Sequence, residues 1–330
     1  MYDIAIVGAG PAGLSAAIYG QRAGKKTAVF EGYTYGGQIV NTPEIENYPG
    51  IKNISGFDYA TGLYEQATGL GAEVIFEQVL GVEEAFGGAG DVPVTGGEVS
   101  DGADDTVGSA KGKRVFKITT SGGTYEAKAV ILATGAKNRH LGIDREEALT
   151  GRGISYCATC DGAFYKSKAV AVNGGGNTAI EDAMFLTNYC SKVYVIHRRD
   201  EFRGEKEGLE ALKKKGNVEF VLNSTVTELL GEDKLSGVRV KNKLTGEEKD
   251  IAVDGLFIAI GQEPDNKAFS ELAELDKAGY IISGEDCLTK TPGIFTAGDC
   301  RTKQVRQLVT AASDGAVAAL AACGYINTLI

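Results

Sequence analysis

Two glycine-rich turns, each between a short apolar strand pattern and a helical stretch, most strongly limit how this chain can fold. The first is Gly8-Ala-Gly10-Pro-Ala-Gly13 after YDIAIV, and the second is GGGNTA, beginning at Gly174, after KAVAVN. A G-x-G-x-x-G pattern in this context is typical of a dinucleotide-binding βαβ unit. Its glycines permit the tight turn, the close approach of a pyrophosphate and the packing of helix on strand. The N–H groups at the helix start can then bind phosphate.

The two units share their internal spacing, from residue 8 to 31 and from residue 174 to 197, but they end differently. Glu31 ends the first unit with an acid that can accept hydrogen bonds from ribose hydroxyls. The second unit ends on His197-Arg198-Arg199, with Arg203 four residues further on. An acid would repel a 2′-phosphate, whereas clustered arginines bind one through charge-assisted hydrogen bonds. The second unit is therefore predicted to bind NADPH rather than NADH.

Three further strand-plus-glycine endings, VILATGA, LFIAIGQEP and GIFTAGDC, indicate how the rest of the chain is arranged. They predict an α/β fold with two Rossmann-like three-layer dinucleotide-binding domains, one inserted in the other. The outer domain is expected to combine residues 1–137 and 263–330, and the inserted domain to span 138–262. Residues 85–114 are rich in glycine and acids and lack periodicity. They are predicted to form a flexible surface loop or an extended hairpin tip.

Charge and hydropathy exclude several classes of function. The formal net charge of −10 argues against a surface that binds nucleic acid or anionic membrane. No apolar run approaches the roughly 20 residues that span a bilayer, and AVAALAAC is the longest candidate near the C-terminus. The chain opens on a strand pattern without a signal-type segment. We therefore expect a cytoplasmic protein with no membrane and no nucleic-acid partner.

Two of the six cysteines, Cys157 and Cys160 in SYCATCD, form a motif. A zinc site would need about four ligands, and the chain has no second C-x-x-C and only two histidines, so no metal is predicted. A structural disulfide is disfavoured in a reducing compartment. Residues i and i+3 of a helical turn lie about 5 Å apart, within the Cα separation of a disulfide. A redox pair that opens and closes is favoured, with Asp161 placed to exchange the proton.

Together these motifs resemble the low-molecular-weight NADPH-dependent thioredoxin reductases, which are FAD-containing flavoproteins. The similarity covers the chain outside residues 85–114 and rests on GAGPAG, GGQ, ENYPG, ATGA, CATCDG, GGGNTA, HRRDEFR, AGD and a later RQ. It implies a homodimer that passes electrons from NADPH through FAD and the Cys157–Cys160 disulfide to oxidised thioredoxin. It also implies that Cys160 lies next to the flavin, that Cys157 attacks thioredoxin and that Asp161 donates and accepts protons.

The resemblance further implies which residues contact the two cofactors. The FAD contacts would be Gly8, Gly10, Gly13, Glu31, Gly37, Gln38, Asn47, Asp299, Arg306 and Gln307. The NADPH contacts would be Gly176, Asn177, Thr178, His197, Arg198, Arg199 and Arg203. Asn173, at the end of the strand before the second glycine turn, and residues 85–114 depart from the usual pattern.

Several related activities are alternatives. A flavin-dependent dithiol oxidase would run the same cysteine pair towards oxygen, and a related dithiol–disulfide oxidoreductase would use a different protein partner. Glutathione-reductase-type enzymes are excluded, because they carry their cysteine pair just after the first flavin motif, where this chain has no cysteine. Hydroperoxide-reductase flavoproteins are disfavoured because they add a long N-terminal extension, whereas this chain starts on the first strand. Ferredoxin-dependent relatives are disfavoured because they lack the arginine cluster that is present here. A non-enzymatic redox sensor or zinc-binding module would be colourless or would not react with NADPH.

Overall fold

The computed structural model describes residues 1–87 and 113–329, which form two compact units. The first unit comprises Met1–Val40, Phe57–Ala136 and Pro264–Ile330, and the second comprises Asn41–Gly56 and Lys137–Glu263. The sequence-based boundaries place residues 41–56 in the outer domain, whereas their contacts group them with the second unit. Most of the segment predicted as a loop or hairpin tip, residues 88–112, lies outside the described residues.

Strands and helices are numbered in chain order. The strands are β1 (Tyr2–Val7), β2 (Thr27–Phe30), β3 (Glu73–Ile75), β4 (Val79–Gly87), β5 (Lys113–Thr120), β6 (Thr124–Leu132), β7 (Ala136–Asn138), β8 (Ile154–Ser155), β9 (Ala169–Gly174), β10 (Lys192–Ile196), β11 (Val218–Val221), β12 (Ser224–Leu230), β13 (Gly237–Asn242), β14 (Glu248–Ile251), β15 (Gly255–Ala259), β16 (Gln262–Pro264) and β17 (Ile294–Thr296). The α-helices are α1 (Pro11–Arg22), α2 (Gly56–Gly69), α3 (Glu146–Leu149), α4 (Ala158–Asp161), α5 (Asn177–Leu186), α6 (Lys206–Lys213) and α7 (Leu308–Asn327).

A seven-stranded mixed sheet carries the first unit, in the order β3-β2-β1-β6-β5-β4 with β17 also paired to β6. The strands nearest the first glycine turn, β1, β2 and β6, are parallel to one another. Alternate residues of β1 face two separate cores. Ile4 and Ile6 pack with apolar residues of α1 and α7, while Ala5 and Val7 pack with Phe116 on the opposite face. Burial on both faces explains why this strand is almost continuously apolar.

The second unit repeats this design around a parallel sheet in the order β11-β10-β9-β15-β8. On one face of β9, Val170 and Val172 pack with apolar residues of α5. On the other face, Ala171 packs with Val226 and Val238 from the antiparallel sheet β12-β13-β14. Strands β7 and β16 form a separate two-stranded sheet. The predicted fold class, two Rossmann-like α/β domains with one inserted in the other, is confirmed.

The sequence predicted no apolar segment near the length of a membrane span, but helix α7, which contains the run AVAALAAC, has 20 residues. Among the described residues it is the helix that is long and apolar enough to cross a bilayer, judged by length and composition alone. In the fold it packs against α1, where Gly315 lies so close to Ala12 that a side chain would meet the Ala12 carbonyl oxygen. Its Asp314 is buried and forms ion pairs with Arg301 and Lys303. These contacts are typical of a helix packed in a protein core. Such a helix can also have the length and apolar composition of a membrane span.

Candidate functional site

The C-x-x-C motif forms a tight turn that joins the end of β8 to the single-turn helix α4. Cys157 and Cys160 are joined by a disulfide, with their Cα atoms 5.3 Å apart. Cys157 caps the helix, because its Sγ accepts a hydrogen bond from the Cys160 N–H at 3.2 Å. Both cysteines are half-buried. The prediction that this spacing brings the two sulfurs within bonding distance is confirmed.

Asp161, the last residue of α4, is held by a buried serine that the sequence reading missed. The Ser155 hydroxyl donates to Asp161 Oδ2 at 2.6 Å and also accepts the Cys157 N–H at 3.1 Å. Burial raises the pKa of the Asp161 carboxyl above its usual range, while the hydrogen bond from Ser155 opposes that rise. The signal in the sequence was the serine two residues before the first cysteine.

The residue between Ser155 and Cys157 is anchored separately. The Tyr156 hydroxyl donates to Glu146 Oε1 at 2.8 Å and lies 2.9 Å from His140 Nδ1. Glu146 also accepts the backbone N–H groups of residues 141 and 142. Burial alone would raise the pKa of Glu146, but these hydrogen bonds hold it below its ordinary value. The segment that carries the disulfide is therefore hydrogen-bonded to α3. The local sequence around Tyr156 does not predict this contact.

The first glycine turn has the conformation that a dinucleotide site requires. Gly8 has φ +106°, and a side chain there would meet the carbonyl oxygen of Ala133. A side chain at Gly13 would lie 1.9 Å from the Gly8 carbonyl oxygen, so helix and strand pack without space between them. Gly10 is the N-cap of α1 and no side chain caps this helix, so its first N–H groups are available to a phosphate.

Two predicted FAD residues lie against this turn. Glu31 Oε2 accepts the Ala9 N–H at 3.0 Å, which brings the carboxylate to the turn as the spacing predicts. A Cβ atom at Gly37 would lie 3.3 Å from the Gly10 Cα, so the second glycine of GGQ approaches the backbone of the turn. The structure thus brings together the glycine turn, the acid and the GGQ segment in the first unit.

The AGD motif approaches the same turn from the C-terminal part of the chain. Gly298 lies so close to α1 that its Cβ would be 2.8 Å from that of Ala12, and the next residue is Asp299. Oδ1 of Asp299 is buried and has no hydrogen-bond partner among residues 1–87 and 113–329. Burial raises the pKa of this carboxyl, and the charges of Lys303 and Arg306 oppose the rise.

The other predicted FAD residues are placed as follows. Arg306 lies over the Tyr280 ring and its Nε donates to the Asp299 carbonyl oxygen, and Gln307 caps the start of α7. The Gln38 side-chain amide donates to the carbonyl oxygen of residue 136. Asn47 is exposed and belongs to the segment grouped with the second unit. Its predicted contact with FAD stays a prediction.

The second glycine turn joins β9 to α5 in the same unit as the disulfide. Gly176 is the N-cap of α5, and a side chain at this position would meet nothing within 4 Å. The Arg203 N–H donates to the Gly175 carbonyl oxygen at 2.8 Å, and Asn177 Oδ1 accepts the Glu205 N–H. Thr178 is exposed in the first turn of α5. The segment that carries Arg203 is therefore joined to the glycine turn by one hydrogen bond between backbone groups and to the start of α5 by one to the Asn177 side chain.

Of the basic cluster after β10, the arginines and the histidine occupy different environments. Arg198, Arg199 and Arg203 are exposed. His197 is 5% exposed, its ring stacks on Phe202, and a side chain at Gly175 would overlap the ring. Burial and the neighbouring arginines lower the pKa of His197, although its hydrogen bond to a backbone carbonyl oxygen opposes this. In the structure the His197 ring packs against Gly175 of the glycine turn. Its predicted contact with NADPH stays a prediction.

These environments fit the two nucleotide cofactors that the sequence predicts. In the first unit, the uncapped start of α1 and the unpartnered oxygen of Asp299 suit a ligand with phosphates and hydroxyl donors. In the second unit, the open space at Gly176 and the exposed Arg198 and Arg199 suit a ligand with a further phosphate. No cluster of metal-binding side chains occurs in the described part of the chain.

Comparison with known proteins agrees with this arrangement. The family model for pyridine nucleotide-disulphide oxidoreductases matches residues 2–315. The thioredoxin reductase of Listeria monocytogenes is 42% identical over 331 residues, covering 100% of this chain and 95% of its own length. That of Treponema pallidum is 42% identical, covering 99% and 98%. The crystal structure of thioredoxin reductase from Streptococcus pyogenes superposes with a TM-score of 0.86 at 39% identity and covers 99% of each chain. The chain therefore belongs to the pyridine nucleotide-disulphide oxidoreductases and, within them, to the thioredoxin reductase family.

Proposed function

We propose that this protein is an NADPH-dependent thioredoxin reductase that uses FAD and the Cys157–Cys160 disulfide to reduce oxidised thioredoxin. The observation that carries the proposal is the disulfide itself, closed between two half-buried cysteines in the unit that also contains the second glycine turn. Relatives of 42% identity over nearly their whole length bear the name thioredoxin reductase, which supports the same substrate for this chain.

Two sets of residues would hold the cofactors. In the first unit, Gly8, Gly10, Gly13, Glu31, Gly37, Gln38, Asp299, Arg306 and Gln307, together with Asn47, would bind FAD. In the second unit, Gly176, Asn177, Thr178, His197, Arg198, Arg199 and Arg203 would bind NADPH. When bound, NADPH would supply the hydride, and FAD would hold the two electrons that reduce the disulfide.

The cysteines would carry two electrons to the protein substrate. Reduction of the Cys157–Cys160 disulfide adds two electrons and two protons and yields two thiols. The Cys157 thiolate then attacks one sulfur of the thioredoxin disulfide, which forms a mixed disulfide and releases the other thioredoxin sulfur as a thiolate. The Cys160 thiolate attacks Cys157, which closes the original disulfide and releases reduced thioredoxin. Asp161 would accept a proton that leaves a cysteine and pass it to a departing thioredoxin thiolate, and the second thiolate takes its proton from the solvent, so that thioredoxin leaves as a dithiol.

An anaerobic titration of the purified flavoprotein tests the donor, the cofactor and the acceptor together. NADPH is expected to bleach the flavin absorbance, and oxidised thioredoxin is expected to restore it. The Cys160→Ser variant should still bleach with NADPH but should fail to reduce thioredoxin. A protein without flavin, or one that NADPH does not bleach, would refute the proposal. Recovery with oxygen but not with thioredoxin would favour a dithiol oxidase instead.

The assembly and location are also proposals. By resemblance to the thioredoxin reductases, we propose a cytoplasmic homodimer without a membrane or nucleic-acid partner. The net charge of −10 supports the last point, because anionic surfaces repel nucleic acid and anionic lipid. Light scattering of the flavoprotein should give twice the mass of the chain, and a single-chain mass at micromolar concentration would refute the dimer.

A further inference from the structure

We propose that Ser155 is the positioning residue that holds the Asp161 carboxyl group in one place in both of its protonation states during dithiol–disulfide exchange. The inference rests on the proposed function for the role of Asp161 as the proton carrier. It assigns a role to a residue that neither the motif nor the cofactor contacts include.

The first step in the argument is the set of contacts around one hydroxyl group. Ser155 Oγ lies 2.6 Å from Asp161 Oδ2, 3.1 Å from the Cys157 backbone nitrogen and 3.3 Å from the Cys157 carbonyl oxygen. A serine hydroxyl has one proton to donate and two lone pairs to accept. The Cys157 N–H occupies one lone pair. One lone pair and the proton are left to serve the carboxyl group.

These contacts provide a partner for each form of the acid. While Asp161 is ionised, the hydroxyl donates its proton to Oδ2, as the 2.6 Å separation indicates. When Asp161 gains a proton, the carboxyl can donate to Ser155 Oγ, and the serine proton can turn to the Cys157 carbonyl oxygen 3.3 Å away. The carboxyl group therefore keeps a hydrogen bond without moving when its charge changes.

The hydroxyl is held rigidly enough to act in this way. Ser155 is 3% exposed and is the last residue of β8, where it pairs with Phe257 of the neighbouring strand β15 in the parallel sheet. Asp161 is fixed from the other side, because its backbone N–H donates to the Cys157 carbonyl oxygen at 3.1 Å. Ser155, at the end of β8, and Asp161, at the end of α4, thus face each other across the turn that carries the disulfide.

The titrations of the neighbouring groups can be separated experimentally from that of Asp161. Tyr165, on the turn after α4, interacts electrostatically with Asp161, and its own pKa is raised to about 12, so it stays neutral. Helix α5 packs on the turn through Phe185 and carries two acids, Glu181 and Asp182. Burial raises the pKa of Asp182 to about 7. An Asp182→Asn variant therefore distinguishes the titration of Asp182 from that of Asp161.

The test measures the titration of Asp161 directly in the oxidised, FAD-containing protein. Infrared difference spectra between the protein and its Asp161→Asn variant give the carboxyl band of Asp161 across a pH series. In Ser155→Ala, the midpoint of this band should rise by about one pH unit or more, because both hydrogen bonds are lost and the one to the ionised form is the stronger. Ser155→Gly removes the same hydroxyl and should give the same rise. An unchanged midpoint in these variants would overturn the proposal.

A second measurement excludes a purely structural effect. The rate at which dithiothreitol reduces the disulfide is followed against pH in the single variants and in Ser155→Ala/Asp161→Asn. The serine variant should move the pH profile upward, whereas in the Asp161→Asn background it should change nothing further. An equal slowing in both backgrounds would refute the role of Ser155. Ser224→Ala, which also removes a buried hydroxyl from this unit, should leave the profile unchanged.

The outcomes separate this inference from the proposed function. If Asp161→Asn has no effect on reduction of the disulfide, the proton-carrier role of Asp161 fails. The infrared midpoint in Ser155→Ala still shows whether the serine controls the ionisation of the acid. If the midpoint moves but thioredoxin is not reduced, the partner in the proposed function is wrong and the Ser155 inference stands.

Discussion

The imidazole ring of His197 lies directly against Gly175, so that a Cβ atom at this glycine would be 2.1 Å from the ring Cε1. The ring is nearly buried, stacks on Phe202 and forms a hydrogen bond with a backbone carbonyl oxygen. The residue at the end of the second βαβ unit therefore supports the glycine turn from beneath. The next two residues, Arg198 and Arg199, are exposed.

The contact between Gly175 and His197 makes substitution of this glycine costly. We expect Gly175→Ala to lower the free energy of unfolding by about 1–3 kcal/mol, because the added methyl group overpacks a buried site. Urea unfolding followed by circular dichroism measures the change. Gly176→Ala is the matched control, because its methyl group meets nothing within 4 Å. Equal destabilisation by both substitutions would contradict the packing described here.

Coenzyme choice should depend on Arg198 and Arg199. Replacing both with alanine removes charge-assisted hydrogen bonds to a 2′-phosphate, each worth about 1.5–3 kcal/mol. The KM for NADPH should rise by at least about tenfold and the KM for NADH should change little. Arg152→Ala, another exposed arginine of the same unit, should affect neither value. Equal losses with both coenzymes would rule out the assignment.

Glu146 should stabilise the segment before the disulfide in a pH-dependent manner. Because its pKa in the folded protein is lowered, its contribution is present above the ordinary glutamate pKa of about 4.3. It is lost as the pH falls through the lowered value. At pH 7, Glu146→Gln should cost about 1–3 kcal/mol of unfolding free energy, and the cost should shrink at acid pH. The exposed Glu147→Gln should cost little at any pH.

Asp314 should be needed both for stability and for flavin retention. It accepts the Gly298 N–H at 2.9 Å and pairs with the buried Arg301 and with Lys303. Asp314→Ala should cost about 3–5 kcal/mol, because it leaves buried positive charge without its partner. The purified variant should also contain less FAD, since Gly298 precedes Asp299. Glu285→Gln, which removes the exposed partner of Arg301, should cost less than about 1 kcal/mol, and a similar cost in both variants would contradict this ranking.

Residues 88–112 should be dispensable for catalysis. Their composition offers little apolar surface to bury, and Gly87 and Lys113 on either side are direct partners in the β4–β5 ladder. Joining Gly87 to Lys113 by Asn-Gly should make a tight hairpin and leave flavin content and turnover nearly unchanged. A deletion that extends to the buried Val115 and Phe116 should instead abolish folding. A colourless product from the shorter deletion would show that the segment has a structural role.

Features that depend on the local spacing of residues could be predicted without the structure. Glycines at fixed intervals between a strand and a helix can form few conformations, so both nucleotide turns were predictable, as was the α/β class of the two domains. Two cysteines three residues apart in a turn lie within disulfide distance, because 3.6 residues complete a helical turn. The exposure of the arginines after β10 was also predictable. They belong to a basic cluster that follows a strand at the spacing at which Glu31 follows β2 in the first unit.

Two kinds of contact depend instead on how the elements pack. They are contacts between residues far apart in the chain and contacts between neighbours that the fold turns towards each other. The strand that brings Ser155 opposite Asp161 pairs with β15, about a hundred residues later in the chain. Asp314 reaches Gly298 because α7 packs on α1. His197 matched the basic cluster in type but is buried under Gly175, because the packing of the βαβ unit places the end of β10 beneath the turn. A sequence pattern records which residue type is present at a position, whereas the direction of its side chain depends on how the elements pack.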